Sequence, residues 1–250
     1  MKKLIVIISV IACAFSVSAQ DSLYINQKDG SIISYAISNI DSITFTKKSG
    51  SSESNTSTTD VGVLINGVRW ATRNVNTPGT FTNNNYDAGY FYQWNSNVGW
   101  PSTGAIGSIT ATDGTTTWNS SWAGGYTTPS ATDTWTSTND PSPQGWRVPT
   151  LTEIRTLVDA TKVTAIWTTQ NGVYGERFTD KTTGNTLFLS ASGYRYHGDG
   201  ALSLTGSNGF YWSSSALTED LAHFLGISKT SAFNELFTRV AGFTVRPVAE

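Results

Sequence analysis

Apolar and polar residues alternate near the start of the chain. The alternating runs are Leu23–Ile25, Ile32–Ile37 and Ile40–Phe45, and Lys28-Asp29-Gly30 separates the first run from the second. A period of two residues around a glycine-containing break predicts a β-hairpin followed by a third short strand. Three short strands bury little apolar surface, so this block is predicted to be marginally stable by itself.

From Val61 onward, short apolar runs are separated by residue pairs that favour tight turns. These pairs are Asn66-Gly67, Asp113-Gly114, Asn171-Gly172 and Asp199-Gly200. The pattern predicts hairpins and loops through most of this region. Late strands are predicted at Thr186–Ser190, Gly209–Ser213, Ala222–Ile227 and Phe243–Val248.

One segment has a helical period instead. Its apolar residues recur at core spacing, at Ile154, Leu157 and Val158. Thr150 and Glu153 have the spacing of a capping box, which places the helix start just after Pro149. We predict a helix over Leu151–Thr161, and the run Tyr90–Trp94 allows a second, shorter helix. One helix, many short strands and long loops predict an α+β domain.

Residues 1–19 have the form of a secretory signal peptide. A basic start precedes an apolar run from Leu4 to Val17, and small residues precede Gln20. The run is too short to span a bilayer, and we predict cleavage after Ala19. A lipoprotein signal stays open as an alternative, because the residues up to Cys13 also fit a lipobox. Either signal predicts an exported protein that is secreted or held at the cell surface.

Composition divides the remaining chain into three parts. We predict a small N-terminal β module at 20–46, a linker at 47–60 and one large domain at 61–250. The linker consists almost entirely of Ser, Thr, Gly, Asn and charged residues, a composition typical of flexible segments. No stretch after the signal is apolar enough to predict a transmembrane segment.

Cysteine use and charge exclude several classes of protein. Cys13 is the single cysteine, so a chain cleaved after Ala19 has no disulfide, no Cys-zinc site and no thiol catalyst. The formal net charge is −2, and it becomes −4 when Lys2 and Lys3 leave with the signal. Only 14% of the residues are charged, so the sequence offers no basic surface for nucleic acid.

Other catalytic and metal-binding chemistry has few candidates. The two histidines, His197 and His223, lie 26 positions apart, and no carboxylate lies near them at ligand spacing. The adjacent acids Glu219 and Asp220 fall on a predicted turn, where their side chains diverge into solvent. Asn139-Asp140 and Asp199 are typical turn formers. We therefore predict no catalytic residue, no metal and no cofactor.

The segment Gly145–Thr150, with the sequence GWRVPT, resembles the signature of the Fibrobacter succinogenes major paralogous domain, a family of bacterial surface proteins. Further ordered segments are similar to elements of that family: Asn66–Val75, Ala88–Trp94, Ser192–Arg195, Phe210–Ser215 and Arg239–Val248. The resemblance implies a C-type-lectin-like fold for residues 61–250. It also implies a structural role for Trp146, which we expect to be buried and to anchor the helix start against a sheet.

This chain departs from the family at two positions. Many members have Cys where it has Ser142, and some have Cys where it has Pro247. In the family these two cysteines can link the start and the end of the domain. Here the packing of Trp146 and of the last strand is expected to hold the two ends together instead. The fold family also includes formylglycine-generating enzymes, which need reactive cysteines, and sulfoxide-forming enzymes, which need an iron site of several histidines. The residue triplets of calcium-dependent lectins do not occur here.

Aromatic and amphipathic side chains in loops suit the binding of glycans or protein surfaces. Trp118 and Trp122 are candidates in one loop. In some relatives the segment Ser215–Arg239 is a ligand-binding face of variable sequence, rich in Asn and Tyr. Here the segment has one Asn and no Tyr, which favours a face whose sequence does not vary. The predicted ligand-binding residues, expected to point outward, are Tyr194, Tyr196, His197, His223, Lys229, Phe233, Asn234, Phe237 and Arg239. We expect their two segments to lie near each other.

These expectations predict an exported, non-enzymatic recognition or adhesion protein that binds a glycan or a protein outside the cell. The first alternative is a structural tip or cap subunit of a surface assembly, in which the N-terminal strands serve as donor strands. The second alternative is an enzyme related to the formylglycine-generating group.

Overall fold

A computed structural model describes residues 22–26, 32–36, 38, 60–121 and 134–250. The chain divides into two compact units, Met1–Glu53 and Ser54–Glu250, and this boundary falls inside the predicted linker. The predicted signal peptide, the strand expected at 40–45 and Trp122 lie outside the described residues. The described part is mostly β-sheet with one α-helix, which fits an α+β or mostly-β fold.

The N-terminal unit contains the predicted hairpin. Strand β1 (Ser22–Asn26) pairs antiparallel with strand β2 (Ile32–Ala36), and the register joins Tyr24 to Ser34. Because paired residues of antiparallel strands point to the same side, Tyr24 and Ser34 share a face with Ile32 and Ala36. All four side chains are exposed.

A four-stranded sheet in the second unit brings distant parts of the chain together. It contains β3 (Val63–Ile65), β4 (Val68–Trp70), β7 (Trp146–Arg147) and β16 (Val248–Ala249), in the order β3-β4-β16-β7. The predicted Asn66-Gly67 turn joins β3 to β4, and both of its residues have positive φ, as a type I′ turn requires. Ala249 pairs with Trp146, so the end of the chain is joined to the segment before the helix.

Helix α1 (Leu151–Leu157) begins where the capping box predicts. The Thr150 amide donates to the Glu153 carboxylate at 2.8 Å, and the Glu153 amide donates to the Thr150 hydroxyl at 3.3 Å. The helix ends at Leu157, so its predicted extension to Thr161 is wrong. The Asp159 carboxylate accepts from the Thr161 amide at 2.9 Å and closes a turn instead.

Two three-stranded antiparallel sheets contain most of the described strand residues of the second unit. One has the order β10-β9-β8, with β8 at Val163–Gln170, β9 at Val173–Asp180 and β10 at Thr186–Ser190. The other has the order β13-β14-β15, with β13 at Asn208–Ala216, β14 at Leu221–Ser228 and β15 at Ser231–Thr238. The predicted strands at Thr186–Ser190, Gly209–Ser213 and Ala222–Ile227 are confirmed, whereas β8, β9 and β15 were not predicted.

Two short strand pairs complete the second unit. Strand β5 (Phe91–Tyr92) pairs with β6 (Gly99–Trp100), and β11 (Tyr194–Arg195) pairs with β12 (Leu202–Ser203). The helix considered for 90–94 is therefore wrong. Tyr92 exchanges backbone hydrogen bonds with Phe243, at 2.8 and 3.0 Å, and these long-range bonds replace the local bonds of a helix.

The predicted strand Phe243–Val248 is wrong for most of its length. Its residues bond to different partners: Thr244 to Phe210 and Trp212, and the Val245 carbonyl to the Val75 amide. Only Val248 belongs to a regular strand, β16. The segment crosses the interior between several elements, where no single neighbouring strand runs beside it.

Two buried clusters form the core. The first surrounds α1 and the β8–β10 sheet and includes Ile154, Leu157, Phe178, Leu187, Leu189, Leu225 and Ile227. The second lies on the other side of the β13–β15 sheet and includes Tyr92, Trp94, Phe210, Trp212, Phe224 and Phe243. Trp146 belongs to neither cluster and is only partly buried, which corrects the expectation of a buried anchor. It lies edge-on to Phe81 at 5.7 Å and covers Gly62.

Candidate binding surface

Strand β11 and the turn after it carry Tyr194, Tyr196 and His197. The strand begins after Gly193, which has φ +70°, and a Cβ there would lie 2.3 Å from the Ser203 carbonyl oxygen. Only glycine permits this approach. The turn is closed by the Tyr196 amide, which donates to the Ala201 carbonyl at 2.8 Å. Tyr196 is left 42% exposed at the start of this turn.

Arg195, between the two tyrosines, points the opposite way and is fully buried. Its guanidinium donates to the backbone carbonyls of Pro101 (2.6 and 3.0 Å), Thr103 (3.2 Å), Gly104 (3.0 Å) and Gly200 (2.7 Å). Burial lowers the pKa of Arg195 to about 10, so the side chain is still charged at neutral pH. One buried cation therefore holds the 101–104 loop and the 196–201 turn together.

Trp118 lies beside the same turn. Its indole N–H donates to the His197 carbonyl at 3.0 Å, and its ring lies edge-on to Trp100 at 5.4 Å. The ring also approaches Gly242 closely, so a Cβ at that position would contact it at 3.0 Å. Trp118, a candidate from a separate loop, therefore lies beside the turn that carries Tyr196 and His197.

Strand β15 adds a ring from a third part of the chain. The Phe237 ring lies 5.7 Å from Tyr194 and 6.4 Å from His197, and the rings of Tyr196 and His197 are 4.2 Å apart. We refer to Trp118, Tyr196, His197 and Phe237 as the aromatic patch. Tyr196 is exposed and the other three side chains are partly exposed.

Tyr194 supports the patch from below. Its ring contacts Phe210 at 4.8 Å and Phe243 at 5.7 Å, which belong to the second core cluster. Tyr194 is thus partly buried and joins the patch to the core. Ring faces and edges held in this way provide contact area with little loss of side-chain entropy on binding, as in antibody combining sites. The exposed carboxylate of Glu235 lies on the same face of β15 as Phe237.

The alternation of β15 separates other predicted residues from the patch. Phe233 and Phe237 point to one face, and Phe233 packs edge-on against Phe224 at 6.1 Å. Asn234 points to the opposite face. His223 shares that opposite face because its register partner is Leu236. Burial and the nearby Arg155 charge lower the pKa of His223 below its usual value.

Two predicted residues lie elsewhere. Lys229 is exposed in the β14–β15 turn, and the six residue steps from Ser231 to Phe237 span about 20 Å of strand. Arg239, expected to point outward, is fully buried, which corrects that prediction. Its guanidinium lies 4.2 Å above the Trp94 ring and donates to the Thr218 carbonyl. A cation stacked on an indole face in the core has a structural role.

A groove of about 300 Å³ lies apart from these residues, between the end of α1, β8 and Ala232 of β15. Within residues 60–121 and 134–250 and the described hairpin, no three His, Cys, Asp or Glu side chains come together as metal ligands would. The helix of the described part is too short to span a membrane.

Comparisons with models of protein families, with curated proteins and with solved structures found no match for this chain.

Proposed function

We propose that this chain is an exported, non-enzymatic recognition protein that binds a glycan or a protein ligand through the aromatic patch. The assignment to the major paralogous domain family, with its C-type-lectin-like fold, is part of this proposal and rests on the ordered sequence elements. The observation that carries the binding site is the meeting of Trp118, His197 and Phe237, which come from three distant segments.

Contacts below the patch support a preformed site. Arg195 and Tyr194 anchor the turn from beneath, so the exposed rings lose little freedom when a ligand covers them. Rings and hydroxyl groups supply the contact area, and we expect binding without a metal ion.

The test begins with a screen of residues 61–250 against glycan and host-protein arrays, followed by titration of each ligand found. Tyr196→Ala should weaken binding at least about tenfold and leave the melting temperature within about 2 °C, because exposed substitutions cost little stability. Tyr174→Ala is the matched control, since Tyr174 is 52% exposed and lies on strand β9, outside the aromatic patch.

The proposal fails if both tyrosine variants bind the ligand as the unaltered protein does. The expectation that binding needs no metal ion fails if a chelator abolishes binding. A ligand bound by the unaltered protein and by Tyr174→Ala, but not by Tyr196→Ala, would locate the site on the aromatic patch.

One observation favours the alternative of an assembly subunit. Strand β15 is eight residues long and stands at the edge of its sheet, where another chain can add a strand. Analytical ultracentrifugation of the full chain over a range of concentrations tests this alternative. Self-association that is lost when residues 20–46 are deleted would support donor-strand assembly, and a monomer at every concentration would contradict it.

A further inference from the structure

A buried carboxyl group on β9 lies beside two aromatic rings, away from the aromatic patch. Glu176 is only 4% exposed. Among the residues that the structure describes, its carboxyl group makes no hydrogen bond and no ion pair. The carboxylate oxygens are not among the fully buried side-chain atoms that lack a hydrogen-bond partner, so they keep some contact with solvent while most of the side chain is buried.

The strand register places the two rings on the same face as this carboxyl group. Trp167 is the partner of Glu176 on β8, and paired residues of antiparallel strands have Cβ atoms about 4.5–5.5 Å apart. Tyr174 lies two positions before Glu176 on β9 and therefore shares its face. The Trp167 and Tyr174 ring planes are nearly parallel, at 12°, with centroids 6.4 Å apart.

The group is accessible from one side. On β10 its partner is Leu189, a core residue, and Phe178 lies two positions further along β9. In the other direction Trp167 is partly exposed and Tyr174 is 52% exposed. The carboxyl group thus lies at the border between the first core cluster and an aromatic surface open to solvent.

Few charges face Glu176 from the surrounding elements. Strands β8 and β10 contain no charged residue, and Arg177 points to the opposite face of β9. Asp180, four positions along on the same face, accepts hydrogen bonds from the amides of Asn66 and Thr182. Strand β14 packs against β9, and the titratable residue on the core side of β14 is His223. The pKa of His223 is lowered by burial and by the Arg155 charge, so it reports no interaction with Glu176.

We propose that Trp167, Tyr174 and Glu176 form a binding site for an organic ammonium group, either a lysine side chain of a partner or a quaternary headgroup. Aromatic faces attract cations through their quadrupole, and tryptophan does so most strongly. The carboxylate supplies the opposite charge, and the bound cation offsets the cost of its burial. We call these three residues the ammonium site, which lies outside the aromatic patch and goes beyond the proposed function.

The protonation of Glu176 gives the site a specific signature. Burial raises the pKa of this carboxyl group to about 7, well above its ordinary value. A cation binds the ionised form, so its affinity should rise about tenfold between pH 6 and pH 8, as the ionised fraction does. Binding should in turn lower the pKa of Glu176.

The experiment compares matched probes by calorimetry on the full chain, which keeps the compact second unit, Ser54–Glu250, intact. Choline carries the quaternary charge, 3,3-dimethylbutan-1-ol is its neutral isostere, and N-acetyl-lysine amide presents a primary ammonium. At pH 8 at least one cation should bind at least about tenfold more tightly than the alcohol, and the tighter cation identifies the source of the ligand. Equal binding of cation and alcohol, or no cation binding at millimolar concentrations, would overturn the proposal.

Two variants assign the effect to the site. Glu176→Gln keeps the shape, removes the charge and should lower cation affinity at least about tenfold, while also removing its dependence on pH. Glu219→Gln removes the same charge at an exposed position outside both sites, so it is the control and should leave cation binding unchanged. If Glu176→Gln binds the cation as tightly as the unaltered protein, the site is wrong. Carbon NMR of the Glu176 carboxyl group provides an independent readout, because its titration midpoint must fall when the cation is present.

Discussion

The aromatic patch and the ammonium site are two aromatic surfaces assembled in different ways. The patch combines rings from residues 118, 196–197 and 237, and buried Arg195 supports it through backbone carbonyls of the 101–104 loop and Gly200. The ammonium site arises within a single hairpin, between Trp167 and Glu176. The first depends on contacts between distant segments, whereas the second depends on the register of two neighbouring strands.

This difference predicts which kind of substitution should disrupt each surface. Loss of a buried polar contact should disorder the loops around the patch and leave the hairpin intact. Loss of turn geometry should loosen the hairpin and leave the patch intact.

Arg195→Met should have the largest effect. The methionine side chain is apolar and leaves the carbonyls of Pro101, Thr103, Gly104 and Gly200 without their donor, which should cost about 3–5 kcal/mol of unfolding free energy. Urea denaturation measures this change. Arg177→Met is the control, because Arg177 is exposed and its loss should cost under about 0.5 kcal/mol.

Arg195→Met should also abolish ligand binding at the aromatic patch while choline binding at the ammonium site persists in the folded fraction. A loss of less than about 1 kcal/mol would show that the buried guanidinium does not organise these loops.

Glu176 should make the stability of the protein depend on pH. Because its folded-state pKa, about 7, exceeds the unfolded value near 4.5, the folded state binds the proton more tightly. Unfolding free energy should therefore be greatest below about pH 5 and should fall as pH rises to 7, with a limiting slope of about 1.4 kcal/mol per pH unit. The difference between the unaltered protein and Glu176→Gln, measured by urea denaturation at pH 5, 6 and 7, isolates this slope. Parallel curves for the two proteins would mean that the pKa of Glu176 is the same in the folded and unfolded states.

Gly172→Ala tests the hairpin that carries the ammonium site. Gly172 has φ +79° and nothing lies within 4 Å of an added Cβ, so the substitution imposes backbone strain without a clash. We expect a loss of about 1–2 kcal/mol in unfolding free energy and weaker cation binding. Asn171→Gly, at the neighbouring turn position with φ 48°, should cost less because glycine adopts that conformation freely. Equal effects of the two variants would argue against a strain mechanism.

The smallest effect concerns the independence of the two surfaces. Tyr174 lies on β9 and Tyr196 in the turn after β11, and in the described residues they have no ring neighbour in common. The stability changes of Tyr174→Ala and Tyr196→Ala should therefore add in the double variant within about 0.5 kcal/mol. A larger coupling energy in thermal or urea denaturation would show that the two surfaces communicate.

Sequence patterns predicted the elements whose causes are local. The capping box of Thr150 and Glu153 involves groups three residues apart, and the Asn66-Gly67 and Asn171-Gly172 turns depend on φ values that these residue types favour. Strands β8 and β9 nevertheless escaped prediction, because threonine occupies both faces of β8, and the charged residues Glu176 and Arg177 lie on opposite faces of β9, so neither run alternates clearly. With hindsight, the Asn171-Gly172 pair between two eight-residue runs was the signal for this hairpin.

The candidate site was predictable in its components but not in its arrangement. Tyr196, His197 and Trp118 were named as loop aromatic and amphipathic residues and Phe237 from the family resemblance, yet their contacts join positions up to 79 residues apart. Arg239 looked like a surface cation, since arginine is rarely buried, and the Trp94 ring that accommodates it lies 145 positions earlier in the chain.

By itself, the sequence determined the helix start, the tight turns and the supply of aromatic side chains, because these depend on residue type and on neighbours a few positions away. Tertiary structure decided which arginines became buried cations, which rings met at the surface and why Glu176 lacks a partner. Those outcomes depend on burial and on the register between strands, and both are set only when distant segments pack together.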